Sequence, residues 1–322
     1  ILGDHGALVL YPLGWLSSFF PSVNFLFVIQ GAALASSVFP LSRFAKHNGL
    51  SSKGLAISLS VLLLYPIVFN TAIFDFHPEV LAFPLVIEAL RLLKYSEARS
   101  YWTVFIYMVF ILTCKVNLCF LVFGIGGWLI VTSKKKIGTV LCGLSISWFL
   151  TISGWLIPYF GGESAHISRQ AGKFGFKNVS NINFINDPGL IIQITKQLFK
   201  ITNLEYIILL LLPVIYITLH RNRIGILFNL MPFWPLFALN LIATAPTMKD
   251  LVHHYSLFLV PFIAIEVQST LAPKPNGLYS FPKWFQRKFD IIIIGWSVLT
   301  FIILSRSTFF IGPFQERLAN AD

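Results

Sequence analysis

Over 322 residues the chain carries 56% apolar side chains and 11% charged ones, at a mean hydropathy of +0.76. Soluble domains hold about 25% charged residues, so a soluble fold would leave much of this apolar surface facing water. The formal charge of +11 does not point to nucleic acid, because no basic amphipathic stripe with interleaved aromatics accompanies it. Most Lys and Arg sit instead in short connections between apolar runs. Those runs are unbroken and helix-length, unlike the alternating segments of roughly ten residues in an outer-membrane barrel. The expected fold class is all-α: one polytopic transmembrane helical bundle of about ten spans across 1–322, integral and multi-pass in its membrane, with lipids as its surroundings.

Residues 7–20 are apolar but short and contain Pro12 and Gly14, which suits a helix lying on the membrane or re-entering it. Spans are expected at 23–44, 54–74, 79–95, 100–114, 116–132, 137–157, 204–220, 224–244, 255–271 and 289–305. The connections around 43–53, 91–99, 134–136, 221–223 and 274–288 hold most of the basic residues, including the triplet Lys134–Lys136. The positive-inside rule places them in the cytoplasm. Residues 1–22, 74–79, 158–203, 245–254 and 306–322 then face outward. That parity requires residues 100–132 to be two short antiparallel helices that turn at Lys115. The longest connection, 158–203, is rich in Gly, Ser, Asn and Lys. Within it, 190–200 places apolar groups at helical spacing with Lys196 and Lys200 on the polar side, as in a helix lying on the outer leaflet.

The outward set collects the unusual polar residues. In Phe74-Asp75-Phe76-His77-Pro78-Glu79, two carboxylates and an imidazole stand at the mouth of a hairpin whose flanks are apolar. Such groups are costly against hydrocarbon unless they pair, bind something or meet water. Pro78 and Glu79 also suit the first turn of a helix, so a capped, solvated turn is the plain alternative. The functional reading makes Asp75 and Glu79 a general base or metal-binding pair, with His77 to bind or shuttle protons. Asp4, His5, Lys115, His166, Arg169, His253, His254 and Tyr255 are candidate substrate-binding residues. Lys115 either snorkels from a short helix or supplies a phosphate-binding ammonium. His253 and His254 are adjacent, so on a helix they point different ways and make a poor metal pair. Glu88 and Arg91, three apart on one face, are expected to pair structurally, while Glu266 has no sequence-near partner. Asn178-Val179-Ser180 matches a glycosylation acceptor.

Cys114, Cys119 and Cys142 lie in apolar segments and form neither a metal-ligand pattern nor a disulfide framework, so they read as small packing residues. No phosphate-binding glycine loop, zinc-protease motif or nucleophile elbow is present. A divalent cation is compatible with the carboxylates, but the sequence names no cofactor.

Several blocks together resemble a bacterial membrane family, the domain of unknown function 2079. They are Gly3-Asp4-His5-Gly6 with Leu10-Tyr11-Pro12-Leu13; Pro21 to Arg43 with Gln30 and Pro40-Leu41-Ser42-Arg43; the Phe74–Glu79 motif; His166-Ile167-Ser168-Arg169; Asp187-Pro188; Leu211-Leu212-Pro213; and His254-Tyr255-Ser256 with Pro261. This family is similar to the C-type glycosyltransferases, which take a sugar from a polyprenyl-phosphate carrier at the outer membrane face. The resemblance implies a bacterial inner or thylakoid membrane, a first span and loop upstream of Ile1, and an extracytoplasmic tail that begins at Asn320-Ala321-Asp322. It also implies an inverting transferase in which Asp75 or Glu79 serves the base or a divalent ion, and His77, Lys115 and Arg169 meet phosphate. One departure stands out: the family pattern after the lysine is often acidic, and here Val116 and Asn117 follow. The rival expectation is therefore a non-catalytic membrane subunit or scaffold of a larger complex. A transporter ranks lower, since Glu266 is the main mid-span ionisable group.

Overall fold

The computed structural model describes residues 2–95, 100–161, 188–221, 228–243, 245–273 and 283–305. His166, Arg169, the Asn178 acceptor and the Asp4 side chain lie outside the described residues. All regular structure among the described residues is helical.

Helices α1 (Leu2–His5) and α2 (Leu10–Ser17) form the N-terminal segment. Gly6, at φ +58°, ends α1, and a Cβ there would stand 2.3 Å from Ile152 Cγ2. This turn therefore needs glycine both for its left-handed backbone and for its contact. Helix α2 exposes Tyr11 and Trp15, and Phe19 and Phe20 are exposed just beyond it, in keeping with a helix at a lipid surface. Helices α3 (Val23–Ser36) and α4 (Val38–His47) run on as one 25-residue apolar helix. The Ser22 side chain caps its start by accepting from Asn24 N at 3.2 Å. Helices α5 (Ser52–Leu63) and α6 (Pro66–Ile73) are bent by 54° at Tyr65–Pro66. Pro66 has no N–H to continue the ladder and its ring crowds the preceding turn.

A 3₁₀ turn at Pro78–Ala82 leads into α7 (Phe83–Tyr95). The apolar run expected at 79–95 thus opens as a tight turn and becomes α-helical at Phe83. Helix α8 (Tyr101–Cys114) and α9 (Leu118–Val131) are separate helices that turn at Lys115–Asn117, where Leu118 N donates to Lys115 O at 3.1 Å. Helix α10 (Lys135–Tyr159) is 25 residues long with a π-turn at Ile152–Leu156. The later part holds α11 (Pro188–Leu198), α12 (Ile201–Arg221) and α13 (Trp234–Ile242). It ends with a 3₁₀ segment at His254–Leu259 that runs into α14 (Val260–Leu271), and α15 (Lys283–Leu304). Helix α11 covers the amphipathic stretch expected at 190–200. It keeps Lys196 exposed and buries Gln197, whose amide donates to Ala243 O at 2.7 Å.

Four helices among the described residues are long and apolar enough to cross a membrane, and the bent α5–α6 pair makes a fifth. Helices α8 and α9 and the stretch Met231–Ile242 are shorter apolar pieces. Ten full-length spans are therefore more than these helices display individually. Among the described residues, Pro66, Pro78 and the Lys115 turn cut apolar runs into shorter pieces.

The described basic connections, around 43–53, 91–95 and 134, gather at one end. Tyr95 donates to Asn48, Lys94 stands 5.2 Å over the Phe44 ring, Lys134 donates to Leu93 O, and Lys53 pairs with Asp290. There Glu88 accepts from Arg91 Nε at 2.9 Å, from Arg91 NH2 at 2.7 Å and from Arg43 NH1 at 3.1 Å. The Glu88–Arg91 pair is the one the spacing predicts, and Arg43 joins it from α4. Glu266, for which the sequence offers no neighbour, accepts from Asn229 at 2.8 Å.

Helices α9 and α10 meet through glycines. A Cβ on Gly138 would lie 2.6 Å from Gly126 O, and one on Gly126 would lie 2.7 Å from Cys142 Sγ. Close approach of this kind replaces the water-driven term that soluble helices use, since lipid tails are as apolar as the side chains. All three cysteines are free, as the packing reading expects. Gly138→Ala is expected to cost about 1–3 kcal/mol through overpacking. Gly143→Ala, where nothing lies within 4 Å, is expected to gain up to about 1 kcal/mol of helix propensity. Thermal melting of both variants in detergent checks these opposite signs.

Candidate functional site

At the end opposite the basic connections, the Phe74–Glu79 motif is held by one buried amide. Gln30, fully buried in the apolar helix α3, donates to Thr71 O at 2.7 Å and Asp75 O at 3.3 Å, and its Oε1 accepts from His77 N at 2.8 Å. The last carbonyls of α6 have no helical partners, and Gln30 supplies one. The chain can then leave α6, turn, and re-enter at Pro78 with His77 and Glu79 pointing inward. Asp75 is exposed on the turn.

Glu79 is 3% exposed and is met by Lys115, which is 8% exposed, from the turn between α8 and α9. Lys115 Nζ donates to Glu79 Oε1 at 2.5 Å. His254 closes the set from a third segment: its Nε2 lies 3.4 Å from Glu79 Oε1 and 3.5 Å from Lys115 Nζ. The His77 and His254 rings face each other at 3.8 Å and 34°, and Tyr255 stacks on His254 at 4.3 Å. His5 is also adjacent, through its carbonyl, which accepts from Val116 N at 3.2 Å. Burial pushes the His77 imidazole below its usual range, against the pull of the Glu79 carboxylate.

Beside this cluster, Asp250 accepts from Val252 N at 3.0 Å and His253 N at 2.8 Å, and its Oδ2 bonds His253 Nδ1 at 2.7 Å. A carboxylate on Nδ1 fixes the ring and leaves Nε2 for chemistry. The segment rests on a buried triad in which Tyr206 bonds Ser256 Oγ at 2.5 Å, and Asn240 donates to Tyr206 at 3.1 Å and to Tyr255 O at 3.4 Å. The adjacent histidines do point different ways, His253 to Asp250 and His254 to Glu79.

Of the candidate residues, His5, His77, Glu79, Lys115, His254 and Tyr255 thus converge. Asp75 and His253 stand beside them, each near the Phe74–His77 turn, where the Phe74 ring packs edge-on to His253 at 6.2 Å. Two further residues, Gln30 and Asp250, take a supporting role only with the structure. Gln30 is a lone amide in an apolar run, a signal visible in the sequence. Asp250 precedes His253 by three, a spacing that suits pairing on a turn.

The arrangement can do three things chemically. An ammonium and imidazoles can hold an anion, the exposed Asp75 and the Asp250-oriented His253 can take a proton, and His77, Glu79 and His254 can ligate a cation. The cluster also carries stability. Lys115→Met strands the Glu79 charge in the bundle and is expected to cost about 3–5 kcal/mol. Adding Glu79→Gln is expected to recover most of that loss, because neither charge is then unpaired. Denaturant titration in micelles is the measurement, and a double variant as weak as the single one would contradict the pairing.

Residues 1–318 match the family model described as "Predicted membrane protein (DUF2079)". No curated protein and no solved structure matches the chain. The match spans nearly the whole length, so it covers every element of the cluster. The chain belongs to the family of predicted membrane proteins defined by the domain of unknown function 2079.

Proposed function

We propose that this chain is a membrane transferase that takes a sugar from a polyprenyl-phosphate carrier at the extracytoplasmic face. The observation that carries the reading is the meeting of Glu79, Lys115, His77 and His254, drawn from three distant segments, inside an apolar bundle. Ionisable groups at that depth are expensive and usually mark a site. In this reading Lys115, held in place by Glu79, faces the carrier phosphate, and His77 and His254 add donors to its oxygens as charge builds on the leaving group. Asp75 at the mouth of the turn removes the proton from the acceptor hydroxyl. Lipid access has support from the exposed aromatics of α2. A further apolar cavity of about 220 Å³ is lined by Leu211, Leu230, Phe233, Trp234, Phe237 and Leu259.

A second reading also has an observation behind it. Lys115 and Glu79 pair with each other without substrate, and no acid follows Lys115, which suits a non-catalytic subunit or scaffold. Stable co-elution of the purified chain in a stoichiometric complex, with no transfer activity, would favour that reading.

The transferase reading is tested with Asp75→Ala and His77→Ala in membrane vesicles supplied with radiolabelled polyprenyl-phosphate sugar. Each variant is expected to lower transfer at least about 100-fold, the usual contribution of a positioned acid or base. Turnover unchanged in both would remove these residues from the mechanism.

A further inference from the structure

His77 Nε2, Glu79 Oε2 and His254 Nδ1 are all buried, and none finds a hydrogen-bond partner among the described residues. Orphan buried polar atoms are uncommon, because each keeps its full desolvation penalty. Three of them within one cluster call for a common cause. One nitrogen from each imidazole and one carboxylate oxygen of Glu79 lie within 4.8 Å of one another. We propose that His77, Glu79 and His254 form a binding site for a divalent transition-metal ion of the zinc class.

The donor set decides the metal class. Two imidazole nitrogens and one carboxylate oxygen suit Zn²⁺ and its neighbours, whereas Mg²⁺ and Ca²⁺ prefer all-oxygen sites. Zinc bonds of roughly 2.0–2.2 Å put tetrahedral ligand atoms about 3.4 Å apart, so a separation of 4.8 Å closes by about 1.4 Å. A turn of the His77 ring about its side-chain bonds would supply that shift, while Gln30 holds its backbone in place. Lys115 takes Oε1 of Glu79 and leaves Oε2 for the metal. The Phe74–Glu79 turn and the chain-distant His254 segment would then share one ion, with Gln30 and the Tyr206–Asn240–Ser256 triad orienting the ligands. Outer partners of this kind usually accompany a metal site.

Three protein ligands leave a fourth position for water or substrate, the pattern of catalytic rather than structural zinc. A divalent ion and an ammonium against the single Glu79 carboxylate leave surplus positive charge, which suits a phosphate-ester oxygen in that position. Only this last step rests on the transferase reading; zinc binding does not.

The test uses the full chain, purified without a histidine tag in detergent, stripped by chelator and titrated with Zn²⁺ and separately with Mg²⁺. One Zn²⁺ per chain is expected, with no comparable Mg²⁺ binding. His77→Ala and His254→Ala are each expected to weaken zinc at least about 100-fold, because changes even to outer partners cost 10–100-fold. His47→Ala, at the basic end beside Tyr95, should bind as the parent does. The absorption spectrum of the Co²⁺-loaded parent chain reports tetrahedral imidazole ligation whether or not the variants fold. No stoichiometric zinc in the parent chain, zinc affinity unchanged in both histidine variants, or equal Mg²⁺ binding would each overturn the proposal. Transfer activity that persists without zinc binding would overturn the metal site alone.

Discussion

The contact between Lys115 and Glu79 constrains the rest of this end of the bundle. A carboxylate or an ammonium alone in a low-dielectric interior costs several kcal/mol, and attraction between them offsets that only at close range. Glu79 lies in the 3₁₀ turn that leads into α7, and Lys115 sits at the turn between α8 and α9. Bringing them to 2.5 Å fixes where one hairpin ends against the other. His254 then approaches both charges from a segment far along the chain. The N-terminal segment is tied to the same turn, since Val116 N donates to His5 O and Val9 N to Thr113 O. A lipid environment offers no water to relax these groups, so the polar end is set by pairing rather than by solvation.

The two ends of the bundle handle their charges differently, and the difference separates architecture from site. At the basic end Glu88 uses both oxygens on Arg43 and Arg91. That network is complete and needs nothing more. At the other end Glu79 bonds through one oxygen and leaves the second unpartnered among the described residues, and one imidazole nitrogen each of His77 and His254 is in the same state. Meanwhile the surrounding backbone is firmly held, by Gln30 beneath the Phe74–Glu79 turn and by Tyr206, Asn240 and Ser256 beneath His254. Rigid support around incompletely satisfied inward groups is how a preorganised binding site is built.

Much of this was legible in the residues. Apolar runs of helix length announce membrane helices, and alternation of the basic connections predicts which of them share an end. Parity split 100–132 at Lys115, and α8 and α9 are separate helices there. The Phe74–Glu79 motif, Lys115 and the His254 segment all drew attention because ionisable residues are rare in such surroundings. Less legible were helix lengths: hydropathy does not show that Pro66 bends one span, or that Glu79 begins in a 3₁₀ turn rather than an α-helix. The orienting partners were harder still. Gln30 stands among apolar neighbours with nothing nearby in sequence to say which turn it holds.

Composition alone determined that this chain is a helical membrane protein, because hydrophobic periodicity and charge placement are local properties that each segment carries by itself. Tertiary structure alone decided which charges meet. Glu79 and Lys115 are joined across two helices, and His254 arrives from a third region of the chain. Their pairing depends on how helices cross and where prolines and glycines let them turn, and that is a property of the packed bundle rather than of any one stretch of residues.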